Sequence, residues 1–299
     1  MWRLENEIRG LSPHTHALHE QVCSKLIWFL RENGCDSCGV NELRRFFLYL
    51  GQSHEARWGN SHPRSSGKMK AGSIATWHRC LRAFFAFLVR EEMIPASPMH
   101  KIPRPECRQD QIQSFAPEQV LTLMDAAKGN RRNMAILSLL LDSGCRESEL
   151  TALRVQDVDL SNRRMRVCGK GSKERFAFFG VQSAKLLSRY LGLRKAQPAE
   201  PLFPSERHPG KALTRNGLLQ MVQALGAKAG IVGVRCSPHT FRHTFAVNFL
   251  RNGGNAFSLK LLLGHEDLKT TERYLALAQG DLADQHRAFS PMDRLLRTR

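Results

Sequence analysis

The segment Ser237–Ala276 gathers four side chains of types that can work together on a phosphate: His239, Arg242, His265 and Tyr274. A guanidinium binds phosphate through two parallel hydrogen bonds and keeps its proton. An imidazole exchanges protons near neutral pH. A phenol attacks phosphorus once a base and nearby positive charge offset its pKa of about 10. The spacing indicates which elements must position these groups. Ser237 suits an N-cap and Pro238 a first helical position, so His239 and Arg242, three apart, share a helix face. Ala246, Phe249 and Leu250 continue that helix, and Gly253 suits its C-cap. A second short helix carries Leu259, Leu262 and Leu263 and stops at Gly264, which places His265 at a helix end. A third, starting near Asp267, presents Tyr274.

His-x-x-Arg, then Leu-Leu-Gly-His at 262–265, then a tyrosine nine residues on, resembles the C-terminal signature of the tyrosine recombinases, the family of phage integrases and Xer-like resolvases. Upstream, Gly144, Arg146, Glu149 and Leu150 match that family's first-arginine motif, G-x-R-x-x-E-L. Glu149 lies one turn from Arg146 and can hold its guanidinium. Lys170 lies in a Gly-rich turn, GKGSKE, between strand-like stretches at 164–168 and 175–179. The turn is no P-loop, because its spacing is wrong and no helix follows. The resemblance implies that Lys170 is the active lysine, with Lys173 the competitor in the same turn.

The implied chemistry is cleavage and rejoining of DNA strands by transesterification, with neither metal, cofactor nor ATP. Tyr274 would be the nucleophile, Arg146 and Arg242 the phosphate clamp, and His265 a third hydrogen bond to the phosphate. His239 would accept the phenol proton, and Lys170 would protonate the leaving 5′-oxygen. His243, beside the motif, reads as a cap or core histidine, and Tyr49 and Tyr190 as packing residues. The implied partners are duplex DNA with inverted-repeat core sites and further recombinase protomers, four on paired sites, the same chain or a paralogue.

Bulk properties are compatible with this. The chain has 299 residues, a 42% apolar fraction and a net charge of +18, enough for real cores and suited to a polyanion. No apolar run reaches the ~18 residues needed to span a bilayer, and the N-terminus lacks a signal-peptide core. The eight cysteines are scattered, as in a cytoplasmic protein with reduced thiols. Cys35 and Cys38 form a lone C-x-x-C without a second ligand pair, so no metal site is expected.

The expected fold is mainly α with a small antiparallel β-sheet. Residues 1–105 are expected to form an all-helical domain, which by the resemblance would be a SAM-like core-binding domain, and 106–299 an α+β domain, which by the resemblance would be catalytic. Apolar stripes predict helices over 12–32, 41–50 and from Ser73, with Trp77, Phe84 and Phe85 in the core. A basic, Gly/Ser-rich loop separates the last two. Its Arg57, Arg64, Lys68 and Lys70 suit either phosphate contacts with DNA or a plain solvated loop. Met93–Phe115 reads as a proline-broken linker whose Lys101 and Arg104 could follow a DNA backbone. In the catalytic half, helices are expected over 117–128, 131–143 and 214–229. After Tyr274, Asp281–Phe289 shows a short helical pattern; the resemblance suggests that this tail docks on a neighbouring protomer, with folding back in cis as the alternative. Two other functions are compatible with the residues: DNA relaxation of the type IB topoisomerase kind, and catalytically silent, sequence-specific DNA binding.

Overall fold

The computed structural model describes every residue except 60–66, 107–111, 170–172, 209, 266–268, 279–285, 288–289 and 298–299. The chain divides into two compact units, Met1–Asp110 and Gln111–Arg299. Among the described residues it is mostly helical with one small antiparallel sheet, as expected. Among the described residues no helix is long and apolar enough to cross a membrane.

The first unit contains α1 (Trp2–Ile8), α2 (Pro13–Glu32), α3 (Val40–Gly51) and α4 (Ala71–Arg90). Ser12 caps α2 by accepting the Thr15 N–H at 3.2 Å. Helix α4 starts three residues earlier than a Ser73 cap predicts, with Lys70 at the N-cap position. Its apolar stripe buries Trp77, Leu81 and Phe85 against Val22, Leu26, Phe29, Leu43, Phe46 and Leu50 of α2 and α3. Trp77 stacks on Phe46 and on Trp58, so these aromatics are core and not a base-stacking surface.

The presumed linker Met93–Phe115 is not uniform. Met99 and Ile102 are buried in the helical unit, where the Ile102 carbonyl meets His78 Nε2 at 3.2 Å. Phe115 belongs to the core of the second unit, and its N–H donates to Thr244 Oγ1 at 2.9 Å. Prolines mark irregular backbone correctly, but irregular backbone can still deliver buried side chains.

The second unit is built on α6 (Arg131–Ser143), which follows α5 (Pro117–Ala126). Ala135, Ile136, Leu137, Leu139 and Leu140 of α6 are all buried, the mark of a helix surrounded by other elements. The short α7 (Glu147–Ala152) leads to a sheet of β1 (Val158–Asp159), β2 (Arg164–Cys168) and β3 (Glu174–Phe178), antiparallel in the order β1-β2-β3. Alternation along β2 buries Met165 and Val167. Helices α8 (Val181–Arg194) and α9 (Arg215–Lys228) complete that core. Then come α10 (Pro238–Arg251), α11 (Ala256–Leu263) and α12 (Lys269–Ala278), which share a smaller core of Ala246, Val247, Leu250, Leu259, Leu263 and Tyr274. A final helix, α13 (Pro291–Arg297), leaves Met292, Leu295 and Leu296 exposed.

Candidate active site

Two backbone turns set the site. Gly144 ends α6 in the left-handed conformation at φ 58°, and a Cβ there would lie 2.3 Å from the Phe245 ring. Glycine therefore lets α6 stop against α10 and aims the chain at Arg146, the N-cap residue of α7. Gly264 ends α11 at φ 63° in the same way, and a Cβ there would meet Arg175 Nε at 2.8 Å.

The carbonyls freed at these turns hold the two arginines of the sequence motifs. Arg146 Nη2 donates to the Gly264 carbonyl at 2.8 Å. Arg242 donates through Nη1 to the Gly144 carbonyl at 2.6 Å and through Nη2 to that of Leu263 at 2.8 Å. Each motif thus straps the arginine of the other. Arg242 is 4% exposed, and burial, then Arg146, push its pKa down to about 10. It stays charged at neutral pH.

Glu149 organises the rest. One carboxylate oxygen accepts Arg146 Nη1 at 2.8 Å. The other accepts the Arg146 backbone N–H at 2.8 Å and Arg175 Nη2 at 2.7 Å. The carboxylate is fully buried, so water does not screen these pairs. Arg175 did not stand out in the sequence; its only signal was a position on β3, just past the turn.

Tyr274 lies on α12, 3% exposed, and burial raises its phenol pKa. Its hydroxyl is 2.8 Å from His243 Nδ1. The reading of His243 as a cap or core residue is therefore corrected: it is half-buried and bonded to the tyrosine. The available signal was its spacing, one turn after His239 on the same helix face. His239 is exposed, with its ring centroid 5.5 Å from that of His243. It is open to the cleft, but desolvation by the protein packed around it, then Arg242, lowers its pKa. His265 Nδ1 meets Thr271 Oγ1 at 3.0 Å, and the His265 ring lies parallel to that of Tyr274 at 6.4 Å. Burial pushes both His243 and His265 down to about 4, with the neighbouring His239 and Arg242 adding to the effect on His243 and Arg242 and Arg146 on His265.

These groups line one cleft of about 740 Å³, which includes Arg146, Lys173, Arg175, His239, Arg242, His243, His265, Arg273 and Tyr274. Lys170 lies outside the described residues, although β2 and β3 frame its turn. Among the basic residues proposed for DNA contact, Lys68, Lys70, Lys101 and Arg104 are exposed, and Arg64 lies outside the described residues. Arg57 departs from expectation. It is 3% exposed and its Nη2 donates to the carbonyls of Leu50 and Gln52, closing the end of α3. Loop composition could not reveal this, because a buried arginine satisfying carbonyls and a solvent-facing one look alike in sequence. Tyr190 donates to the Leu202 carbonyl at 3.0 Å, and Tyr49 packs on Phe29, consistent with packing roles. Cys35 and Cys38 are free thiols.

A mainly helical unit that holds two arginines, histidines and a tyrosine around one basic cleft defines a phosphate-handling protein. The model of the Phage integrase family matches residues 113–280. Tyrosine recombinase XerC of Lactobacillus leichmannii is 30% identical, covering 96% of each chain. Tyrosine recombinase XerD of Haemophilus ducreyi is 33% identical over 74% of this chain and 77% of its own. The Tn1549 transposon integrase, solved in complex with transposon right end DNA, shares the fold at a TM-score of 0.70 and 20% identity, over 98% of this chain and 97% of that one. The chain belongs to the phage integrase family and is a tyrosine site-specific recombinase. The recombinases it matches do not favour the topoisomerase or silent-binder readings.

Proposed function

We propose that this chain cuts and rejoins duplex DNA through a covalent 3′-phosphotyrosyl intermediate at Tyr274. The observation that carries this reading is the common cleft of Tyr274, Arg146 and Arg242. Both guanidiniums are anchored to backbone carbonyls, yet each retains N–H groups for the non-bridging oxygens of a phosphate. They meet the charge that builds on those oxygens, and because their anchors are already made, little reorganisation accompanies the reaction. A Thr271 hydroxyl donating to His265 Nδ1 leaves the ring proton on Nε2, available to the same phosphate. His239, in the wall of the cleft, is a further ligand for the phosphate or carrier of the phenol proton. Lys170 is the acid for the departing 5′-oxygen. The phosphotyrosyl link conserves the bond energy, so a second strand's 5′-hydroxyl can reverse the step without ATP.

The helical unit, with Lys68, Lys70, Lys101 and Arg104, and Arg64 in the basic loop, would bind the core half-site. Protomers would assemble on paired inverted-repeat sites in the cytoplasm, four to a synapse, as copies of this chain or with a paralogue. The exposed Met292, Leu295 and Leu296 of α13 suit docking on a neighbour.

The test is covalent capture. Sheared DNA from the source is incubated with the protein, denatured, and the linked ends are sequenced. The expected outcome is adducts at a recurring site, joined through a 3′-phosphate and absent with Tyr274→Phe. Adducts without sequence preference would support relaxation instead. A specific gel shift without any adduct would mark a binding module.

A further inference from the structure

We propose that His243 is the immediate proton acceptor for Tyr274 in strand cleavage and the donor that returns the proton on resealing. This rests on the reading of Tyr274 as nucleophile. The Tyr274 hydroxyl is buried with its phenol, and His243 Nδ1 sits 2.8 Å from it, within direct proton-transfer distance. His239 belongs to the same helix face but shows no such contact; its ring lies against His243. An acceptor must be neutral before it acts. The groups facing His243 are His239 and Arg242 on its own helix and Arg273 and Tyr274 on α12, with His265 against the tyrosine ring. Burial, reinforced by His239, Arg242 and Arg273, keeps the imidazole unprotonated, its one proton on Nε2 when Nδ1 accepts.

The step balances. The bond from Tyr274 Oη to phosphorus forms, and the bond from phosphorus to O5′ breaks with its electron pair going to O5′. The phenol proton moves to His243 Nδ1, and O5′ takes a proton from Lys170. Resealing runs each transfer backwards, so His243 reprotonates the phenol as it leaves. The same cations that keep His243 neutral at rest also raise the energy of the imidazolium, so the proton is readily returned.

The test uses the full-length protein and a nicked duplex carrying the site recovered by covalent capture. His243→Asn places an amide oxygen near Nδ1 that can accept the tyrosine hydrogen bond but cannot take its proton. Cleavage by the unaltered protein should change little between about pH 6 and 8, where His243 stays neutral. The variant should lose about 10²–10⁴-fold at neutral pH, with the loss shrinking as the phenol itself ionises at higher pH. There are only three tyrosines. Carbon-13 at the phenol carbon therefore gives three NMR lines, and Tyr274→Phe identifies the one that reports folding and the hydrogen bond in the variant. Cleavage by His243→Asn within a few-fold of normal, on an unchanged pH profile, would overturn the proposal. So would an equal loss at every pH with the tyrosine line intact. Absence of any adduct from the unaltered protein would instead defeat the reading of Tyr274, and this inference with it.

Discussion

Glu149 holds two guanidiniums and a backbone N–H with one buried carboxylate. Removing its charge leaves Arg146 and Arg175 facing each other uncompensated. Glu149→Gln is expected to lower unfolding stability by about 3–5 kcal/mol, the usual range for breaking a buried pair. Urea unfolding with an unchanged m-value is the check. Arg146→Lys keeps the charge but loses the fork that meets the carboxylate and, in the proposed mechanism, the scissile phosphate. Its adduct formation should fall on the order of 10²–10³-fold in single-turnover cleavage, with a smaller loss of melting temperature than Glu149→Gln because an ammonium can still pair with the buried carboxylate. The two changes separate the positioning role of Glu149 from the phosphate-binding role proposed for Arg146.

At the scale of elements, helix ends do the positioning. Gly264 closes α11 with positive φ, packs under Arg175 and presents its carbonyl to Arg146. Gly264→Ala should destabilise the unit by about 1–2 kcal/mol from the backbone alone. It should also depress cleavage further by displacing the arginines, which parallel melting and cleavage assays would show. In the helical unit, Arg57 and Lys68 make an informative pair. Arg57→Ala frees the carbonyls at the end of α3 and should cost about 1–3 kcal/mol of stability. The slope of DNA affinity against salt should then be unchanged. Lys68→Ala should leave stability intact and reduce that slope by about one, if the exposed ammonium meets a phosphate.

At the scale of the molecule, charge shapes the pH response. His243 and His265 titrate near 4 when folded and near 6.5 when unfolded. Between those values the unfolded chain binds more protons, so stability is full above about pH 6.5 and falls as the pH drops towards 4. A melting temperature that declines over that window, and less steeply in His243→Asn, is the expected result. The +18 net charge suits strong, salt-sensitive association with DNA, and its self-repulsion adds to the loss of stability as histidines charge.

Local rules account for much of this protein. Helix caps, apolar stripes and glycine stops carry nearest-neighbour physics, which is why Ser12, Ser237, Gly144 and Gly264 mark their elements in the chain as written. The resemblance to the family's motifs singles out Arg146, Arg242 and Tyr274 in the sequence, and all three line one cleft. Other features depend on groups far apart in sequence. The exchange of carbonyls between the Gly144 and Gly264 turns joins segments about a hundred residues apart, as do the burial of Phe115 and its bond to Thr244. Arg57 looked like a loop cation until α3 ended beside it. His243 looked like packing until α12 laid a phenol against it. In each case the residue's role is set by a partner that only the folded chain supplies, and burial makes that partner decisive because water no longer competes for the hydrogen bond.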